Sequence, residues 1–432
     1  MSILLAIDLA TIGKTLGGIA LAILILLAMV SIHEFGHYVA GKILGFKITE
    51  FSIGFGPAIF KKRSKKTGEL FAVRIVPLGG YCAFDGEEYD EEDARAEAQK
   101  LAESGEGNGQ ADEPFGDFSA VEEGQKEPTV SELNDSADEK PRKKDETEYP
   151  EPKGVRFNEQ APWKRIIVLV AGALMNYLLA IVLLLIMCFS YGVPMCIAIP
   201  VDYNGEMLSP VEWEVQELSA ADIILSIDGD KIGMYTDCMD ALKGKAAGET
   251  VSVEIKRLTQ DGWKDKSVTL TLKADGAFEN SADVEALQAA MGFQIGTQSV
   301  KTTFWRTVGG AFTYSGEMAT SVLKTLGELI TGAFGDKTAD VVGGPVSTIG
   351  QTAQIAIASP FSFLYMASFI GVNLAVFNLL PVPALDGCKV IFCIIEWIRK
   401  KPVNRKIEAA INFAGIVFLF GFAILIDLLK LF

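Results

Sequence analysis

Four long apolar runs dominate the pattern of hydrophobic and polar positions along this 432-residue chain. They cover approximately residues 16–38, 165–190, 361–380 and 407–430. A helix needs about 20 apolar residues to cross a bilayer, so each run has the length of one span. The pattern therefore predicts a polytopic α-helical membrane protein with about four transmembrane helices.

Basic residues gather beside these runs, and their positions predict the orientation of the chain. Lys and Arg near short loops are retained in the cytoplasm. One cluster follows the first run, one precedes the second, and one separates the third from the fourth: Lys42, Lys47, Lys61, Lys62, Arg63, Lys65 and Lys66; Lys164 and Arg165; Arg399, Lys400, Lys401, Arg405 and Lys406. All three fall on one side of a four-span arrangement, which puts both termini and residues 191–360 outside. The first run lacks the features of a cleavable signal and is expected to remain as an anchor.

Residues 47–84, between the first two runs, alternate turn signals with short β-prone stretches such as Leu70–Val76. This pattern predicts hairpins at the membrane surface. Residues 85–160 hold 25 acidic and nine basic residues, an excess equal to the whole formal charge of −16. So polar a segment cannot bury enough surface to offset its conformational entropy, and it is expected to be a disordered cytoplasmic insertion. No basic patch with interleaved aromatic residues indicates a nucleic-acid partner.

A small soluble domain is predicted over residues 200–275, after the second run. Ile223–Ile227 and Val251–Arg257 have the pattern of strands, Asp228-Gly229 that of a turn, and Asp237–Ala247 that of a short helix. Residues 304–334 mix apolar residues with Gly and Thr and few charges, which favours an amphipathic helix at the outer interface. Whether this helix spans the membrane or lies on it stays open.

The strongest chemical motif is His33-Glu34-Phe35-Gly36-His37, which continues the first apolar run. Residues i and i+4 share one face of a helix, so both imidazoles can bind one metal ion beside Glu34 as a general base. Zinc accepts this donor set and keeps a position open for water, which it activates as a nucleophile. The chain has no other histidine, and an ionisable residue inside a spanning helix usually marks function.

The third protein ligand is expected to be a carboxylate, because the six cysteines are scattered and contain no Cys-x-x-Cys pair. The partner must lie near the cytoplasmic end of another span, which argues against Asp427. Asp386 fits best, because Pro381 and Pro383 break the third helix just before it. Glu396 and Glu408 lie on the same side but neighbour basic residues, so they are interpreted as solvated surface charges.

Together, the HEFGH motif and the stretch Asn378-x-x-Pro381-x-Pro383-x-Leu385-Asp386-Gly387 resemble the paired signature of site-2 proteases. The resemblance implies Zn2+ held by His33, His37 and Asp386, with Glu34 as catalytic base. Residues 51–57, 77–81, 171–176 and 343–346 extend it over most of the chain outside the acidic insertion.

Two groups of residues in the same sequence are candidate substrate contacts. Asn378 is either a loop former or a polar group that hydrogen-bonds the substrate backbone, and the second interpretation is slightly favoured. The turns at Gly54, Gly79 and Gly80 are either simple hairpin punctuation or border a strand edge that pairs with an extended substrate. Asn176 is equally well explained as a helix-packing residue.

Residues 209–210 and 221–229 also resemble the bacterial regulator-of-sigma-factor proteases, whose external domain is PDZ-like. That resemblance implies single-pass transmembrane substrates in the bilayer, such as anti-sigma factors or remnant signal peptides, and a bacterial inner or plasma membrane location.

A metal transporter and a catalytically silent scaffold are the alternative functions. The predicted order is: first transmembrane helix, 1–46; membrane-associated β-region, 47–84; acidic insertion, 85–160; second transmembrane helix, 161–192; inserted extracytoplasmic PDZ-like α+β domain, 200–275; amphipathic segment, 300–356; third transmembrane helix, 357–390; fourth transmembrane helix, 405–432.

Overall fold

The computed structural model describes residues 9–87, 149–201, 207–208, 218–281, 283–332 and 345–429. Most of the predicted acidic insertion (88–148), the Ser209-Pro210 pair and the Gly343-Gly344 pair lie outside these residues. The chain divides into two compact units. Residues 26–175 and 379–417 form the site unit, and residues 1–25, 176–378 and 418–432 form the sheet unit.

The regular elements follow one another along the chain as helices and strands of very different length. In order they are α1 (Leu9–Leu44), β1 (Ile48–Arg63), β2 (Leu70–Phe84), α2 (Pro162–Tyr191), β3 (Val193–Ile199), β4 (Ile223–Ile227), β5 (Asp230–Lys231), α3 (Tyr235–Leu242), β6 (Thr250–Thr259), β7 (Gly262–Thr271), α4 (Val284–Met291), β8 (Gln294–Val300), α5 (Phe304–Thr331), α6 (Pro345–Ala358), α7 (Pro360–Asn378), α8 (Asp386–Arg399) and α9 (Arg405–Leu429).

Within the described residues, four helical segments are long and apolar enough to cross a membrane: Thr15–Leu44, Pro162–Tyr191, Pro360–Asn378 and Arg405–Leu428. They coincide with the four apolar runs, so the prediction of four candidate spans is confirmed. The third helix is shorter than the predicted range 357–390, because it ends at Asn378 and a new helix begins at Asp386. Prolines 381 and 383 fall in this interruption, where they cannot continue a helix.

The β-region of the site unit is a folded-back pair of strands. Residues 50–53 of β1 pair on one side with 80–83 of β2 and on the other with 70–73, while residues 58–63 pair with 70–74. Each strand therefore bends once, and the lateral order of segments is 58–63, 70–74, 50–53 and 80–84. The predicted hairpins are present, in a more compact form than a simple ladder. Phe46, Phe84 and Phe157 pack this region into the core of the site unit.

The sheet unit contains an antiparallel sheet of order β7-β6-β4-β3-β8, with β5 paired to β4. The predicted strands over 223–227 and 251–257 are confirmed. The sheet extends beyond the predicted range 200–275, because β3 and β8 pair from Val193↔Val300 to Ile199↔Gln294. These strands were missed because β3 follows an apolar span directly and β8 is poor in apolar residues.

Helix α5 is amphipathic, as predicted for residues 304–334, and it packs Ala311, Tyr314 and Met318 into an apolar cluster of the sheet unit. Its polar side contacts the part of the sheet unit that contains strands β3–β8 and helices α3 and α4, hereafter the sheet domain. There Glu328 accepts a hydrogen bond from the Ser281 hydroxyl at 2.5 Å. Helix α3 ends at Leu242, earlier than the predicted Ala247, and Gly244 follows with a positive φ of 80°. Helix α6 begins in the predicted amphipathic segment 300–356 and ends two residues beyond it, and it was not predicted as a separate element.

Candidate metal centre

The two histidines of the HEFGH motif are buried on one face of α1. Both residues are less than 10% exposed, and their rings meet edge to face with centroids 4.7 Å apart. Helix α1 continues through the motif without a break, and Gly45, at a φ of 76°, follows its last residue. The i, i+4 spacing predicted from the sequence thus places both rings at one point.

Asp386 reaches the same point from the first turn of α8. Its Oδ2 lies 3.0 Å from His33 Nε2 and 3.3 Å from His37 Nε2. The loop before it is constrained: Ala384 has a positive φ of 77°, a conformation that costs a residue with a side chain about 1–2 kcal/mol. A Cβ on Gly387 would lie 2.2 Å from the Leu380 carbonyl oxygen, so only glycine fits there.

The three donor atoms have the separation that a zinc ion requires. The two Nε2 atoms are 3.1 Å apart, close to their distances from Asp386. Ligands about 2.0–2.1 Å from a tetrahedral ion are about 3.3 Å from one another, so the set fits zinc with one coordination position left. Among the described residues, His33, His37 and Asp386 are the group of three metal-ligating side chains that converges in this way.

The backbone of α2 orients His37. Its Nδ1 lies 2.8 Å from the carbonyl oxygen of Val168, to which it donates a hydrogen bond. A proton on Nδ1 leaves Nε2 free to bind a metal, which is the usual arrangement for a ligating histidine. The sequence gives no direct sign of this contact, because any residue at position 168 would supply the same carbonyl.

Two glycines allow this close approach of α1 and α2. A Cβ on Gly172 would lie 2.4 Å from His37 Nε2, and a Cβ on Gly36 would lie 2.4 Å from the Ala171 carbonyl oxygen. Small residues let membrane helices pack backbone to backbone. The small residues around Gly172 and the Gly within the HEFGH motif were the available signal, but their contacts with the site were not predicted.

Glu34 lies beside the β-region. A Cβ on Gly80 would be 3.3 Å from Glu34 Cγ and 2.8 Å from the Ser52 carbonyl oxygen, so the strand passes directly next to this carboxylate. Within the described residues, segment 80–84 pairs along one side only, with residues 48–53. The base candidate therefore stands next to a strand edge that pairs with no second strand of the described residues, hereafter the open edge.

Gly54 and Gly79 occupy the two bends of the β-region, with φ values of 85° and 126°. A Cβ on Gly79 would overlap the ring of Phe55, and one on Gly54 would approach the Val76 carbonyl oxygen to 2.7 Å. Their first role is thus structural, in folding the strands back. Asn378 is the last residue of α7, in the sheet unit.

A buried polar cluster fixes the β-region from within. Arg74 binds Glu50 at 2.7 Å and Ser52 at 2.9 Å, and the Tyr81 hydroxyl donates to Glu50 at 2.8 Å. Burial and this hydrogen bond raise the pKa of Tyr81 to about 12. The cluster holds the strand that carries Gly80, and the sequence did not reveal it, because its members are up to 31 positions apart.

The other carboxylates considered as ligands are occupied elsewhere. Glu396 is 2.7 Å from Arg165, whose side chain is buried, and Glu408 is 3.5 Å from Arg405. The prediction that both are solvated surface charges is wrong, because each is mostly buried within an ion pair. A further ion pair joins two elements of the metal centre. Lys389 of α8 is 2.7 Å from Glu87, which lies in the turn after β2.

Comparison with known proteins gives the chain its family. The profile of peptidase family M50 matches residues 21–422. The chain belongs to peptidase family M50. This is the family of the site-2 proteases, so the resemblance inferred from the two motifs is confirmed.

Relatives in this family carry names that agree with the donor set. The zinc metalloprotease RasP of Bacillus licheniformis is 28% identical, over 92% of this chain and 94% of the relative. The regulator of sigma-W protease RasP of Bacillus subtilis is also 28% identical, over the same shares. The zinc metalloprotease RasP of Geobacillus kaustophilus is 27% identical, over 94% of this chain and 96% of the relative. The M50 chain described here is a zinc metalloprotease.

Proposed function

We propose that this M50 protease cleaves transmembrane segments of single-pass membrane proteins, with anti-sigma factors as the substrate type. The observation that carries the proposal is the meeting of three metal-binding side chains with Glu34 and an open strand edge on or beside apolar helices. A protease acting within a membrane needs both a buried nucleophile-generating site and a way to hold an unwound peptide. The name of the Bacillus subtilis relative, regulator of sigma-W protease, supports the substrate type.

In this proposal His33, His37 and Asp386 hold the zinc ion through the three atoms that converge in the structure. When bound, zinc polarises the peptide carbonyl and lowers the pKa of water, so that hydroxide is available at neutral pH. Glu34 accepts the proton of the attacking water and returns it to the leaving amine. The Val168 carbonyl keeps the His37 ring in the orientation that this arrangement requires.

The substrate is held as an extended strand. Its backbone pairs with the free side of segment 80–84, which places its carbonyls beside Glu34. Pairing also replaces the helical hydrogen bonds that the substrate loses when it unwinds within the membrane. Gly80 gives the substrate room next to Glu34, Gly54 and Gly79 set the bends that expose the edge, and Asn378 donates to the substrate backbone.

The sheet domain acts as an extracytoplasmic PDZ-like filter that turns away substrates with large external parts. The antiparallel sheet with α3 and α4 supports a small α+β domain, and the distribution of basic residues supports a cytoplasmic position for the catalytic end in a bacterial inner or plasma membrane. Reporters with a short or a long external segment test the filter. Equal cleavage of both would contradict it.

The decisive experiment measures zinc content and cleavage of a reporter with an anti-sigma-like transmembrane segment, using purified full chain. Glu34→Gln is expected to abolish cleavage and keep zinc, whereas Asp386→Ala is expected to lose both. Asp427→Ala is the matched control, because it removes a carboxylate of α9 that lies outside the metal centre. This variant should keep both zinc and cleavage. If Glu34→Gln cuts as fast as wild type, the assigned base is wrong.

The same variants separate the two alternative functions. A transporter would move zinc or another divalent ion into vesicles, and a scaffold would bind membrane proteins without cutting them. Loss of reporter cleavage in Glu34→Gln together with absent ion uptake by wild type excludes both. Uptake by wild type without any cleavage would favour the transporter.

A further inference from the structure

The outer hairpin of the β-region, formed by residues 58–63 and 70–74, ends in a dense group of cations. Five of the six residues from 61 to 66 are Lys or Arg, and all five side chains are exposed. Among the described residues, none of these five takes part in an ion pair. So strong a local positive charge attracts anions.

The cations surround an open pocket of about 700 Å3 at the tip of this hairpin, hereafter the tip pocket. Phe60, Phe71 and Tyr149 contribute its aromatic lining. A pocket with a cationic rim and an apolar wall matches an anion that also carries apolar groups better than it matches a fully hydrated anion. Charges on an outer strand also prevent unwanted strand pairing, but that role requires neither the pocket nor its aromatic wall.

The root of the same hairpin is apolar and exposed. Ile59 is 70% exposed, Ile75, directly after the hairpin, is 60% exposed, and Val73 is also exposed. A strand rises about 3.3 Å per residue, so Ile59 and Arg63 are separated by roughly 13 Å. The interfacial layer on each side of a bilayer is about 5–8 Å thick, so the hairpin can place its root among acyl chains and its cations among phosphates.

We propose that the tip pocket binds the headgroup of an anionic phospholipid. The cations at positions 61–66 contact the phosphate, and the exposed root of the hairpin contacts the acyl chains. Basic groups near an anionic leaflet are attracted to it, with a strength that adds over several side chains. Lipid bound here anchors the outer segment of the β-region to the membrane surface.

Native mass spectrometry of the full chain in neutral detergent tests this site with phosphatidylglycerol as the probe. The variant K61Q/K62Q/R63Q is expected to bind the lipid at least tenfold more weakly than wild type. The matched control R399Q/K400Q/K401Q removes three adjacent exposed cations at the end of α8 and should bind like wild type. The charge-preserving variant K61R/K62R should also bind like wild type, which separates loss of charge from loss of fold.

Two results would overturn the proposal. One is unchanged phosphatidylglycerol affinity in K61Q/K62Q/R63Q with zinc content like that of wild type. The other is carbodiimide cross-linking of Lys62 to acidic residues between 88 and 148 that added lipid does not reduce, which would assign the cations to the chain's own acidic segment. Inorganic phosphate should not displace the lipid, because it lacks the acyl chains that contact the hairpin root.

Discussion

Gly172 and His37 are in direct contact, and a β-carbon on Gly172 would lie only 2.4 Å from His37 Nε2. The same β-carbon would lie 2.7 Å from His33 Cε1, so both candidate ligand rings rest against this one backbone position. The glycine is therefore part of the metal centre, although it binds no metal itself.

We predict that Gly172→Ala lowers zinc affinity by at least tenfold, because the added methyl group displaces a ligand imidazole. Changes around a ligand commonly weaken metal binding by about 10- to 100-fold. Gly421→Ala is the control, since a Cβ at that helical position meets nothing within 4 Å. Competition with a zinc chelator on the purified proteins measures the affinity. An affinity of Gly172→Ala equal to that of wild type would show that the rings can move aside without loss of the site.

The elements that sequence reasoning predicted well are those set by local pattern. Hydrophobic length alone located the four candidate spans, and the i, i+4 geometry of a helix brought His33 and His37 to one point. Asp386 needed more: the side of the membrane, the proline-broken helix before it and the family signature together favoured it over Asp427. The structure brings this carboxylate to within 3.3 Å of both rings.

What the sequence did not reveal depends on contacts between distant segments. The β-region bends so that residues 50–53 pair on both sides. Gly54 and Gly79 allow the bends, and the buried cluster around Arg74 stabilises the bent strands. Helix α8 was not predicted as a separate element, because its first residues were included in the predicted third transmembrane helix. Glu396 and Glu408 were wrongly predicted to be solvated, because a sequence shows which residues are charged and does not show which of them are buried in ion pairs.

The closeness of Gly80 to Glu34 gives a prediction about substrate binding. Gly80→Ala should reduce reporter cleavage by roughly tenfold while zinc content stays at the wild-type level, because the methyl group meets the Ser52 carbonyl oxygen and the Glu34 side chain and does not touch the ligands. A tenfold loss corresponds to about 1.4 kcal/mol of transition-state stabilisation. Gly309→Ala, at a glycine of α5 that also lacks a positive φ and where a Cβ meets nothing within 4 Å, controls for the added methyl group. Normal cleavage by Gly80→Ala would remove segment 80–84 from the proposed substrate path.

The ion pair between Lys389 and Glu87 joins the helix of Asp386 to the turn that follows the open strand. We predict that Lys389→Glu and Glu87→Lys each lower cleavage, because each leaves like charges facing one another. The double variant with exchanged charges should recover most of the lost activity, and Lys389→Arg should be nearly normal. Zinc content and cleavage are measured on all four. If the double variant is no better than the worse single one, the pair does not act as a unit.

Glu317 of α5 faces Asp237 of α3 across a pocket of about 330 Å3 in the sheet unit. Burial, and then the charge of Asp237, raise the pKa of Glu317 from 4.5 to about 7. A raised folded-state pKa means that the folded protein binds this proton more tightly than the unfolded chain does. The contribution to stability is therefore complete below pH 4.5 and is lost as the pH rises through 7.

We predict that wild type loses about 1 kcal/mol of stability relative to Glu317→Gln between pH 5 and pH 8, a figure reduced for the partial solvent exposure of the group. Thermal unfolding of the full chain in detergent at both pH values measures the difference, since glutamine cannot ionise. Glu285→Gln, at an exposed position of α4, is the matched control and should follow wild type at both pH values. Parallel pH dependence of wild type and Glu317→Gln would show that Glu317 ionises without cost in the folded protein.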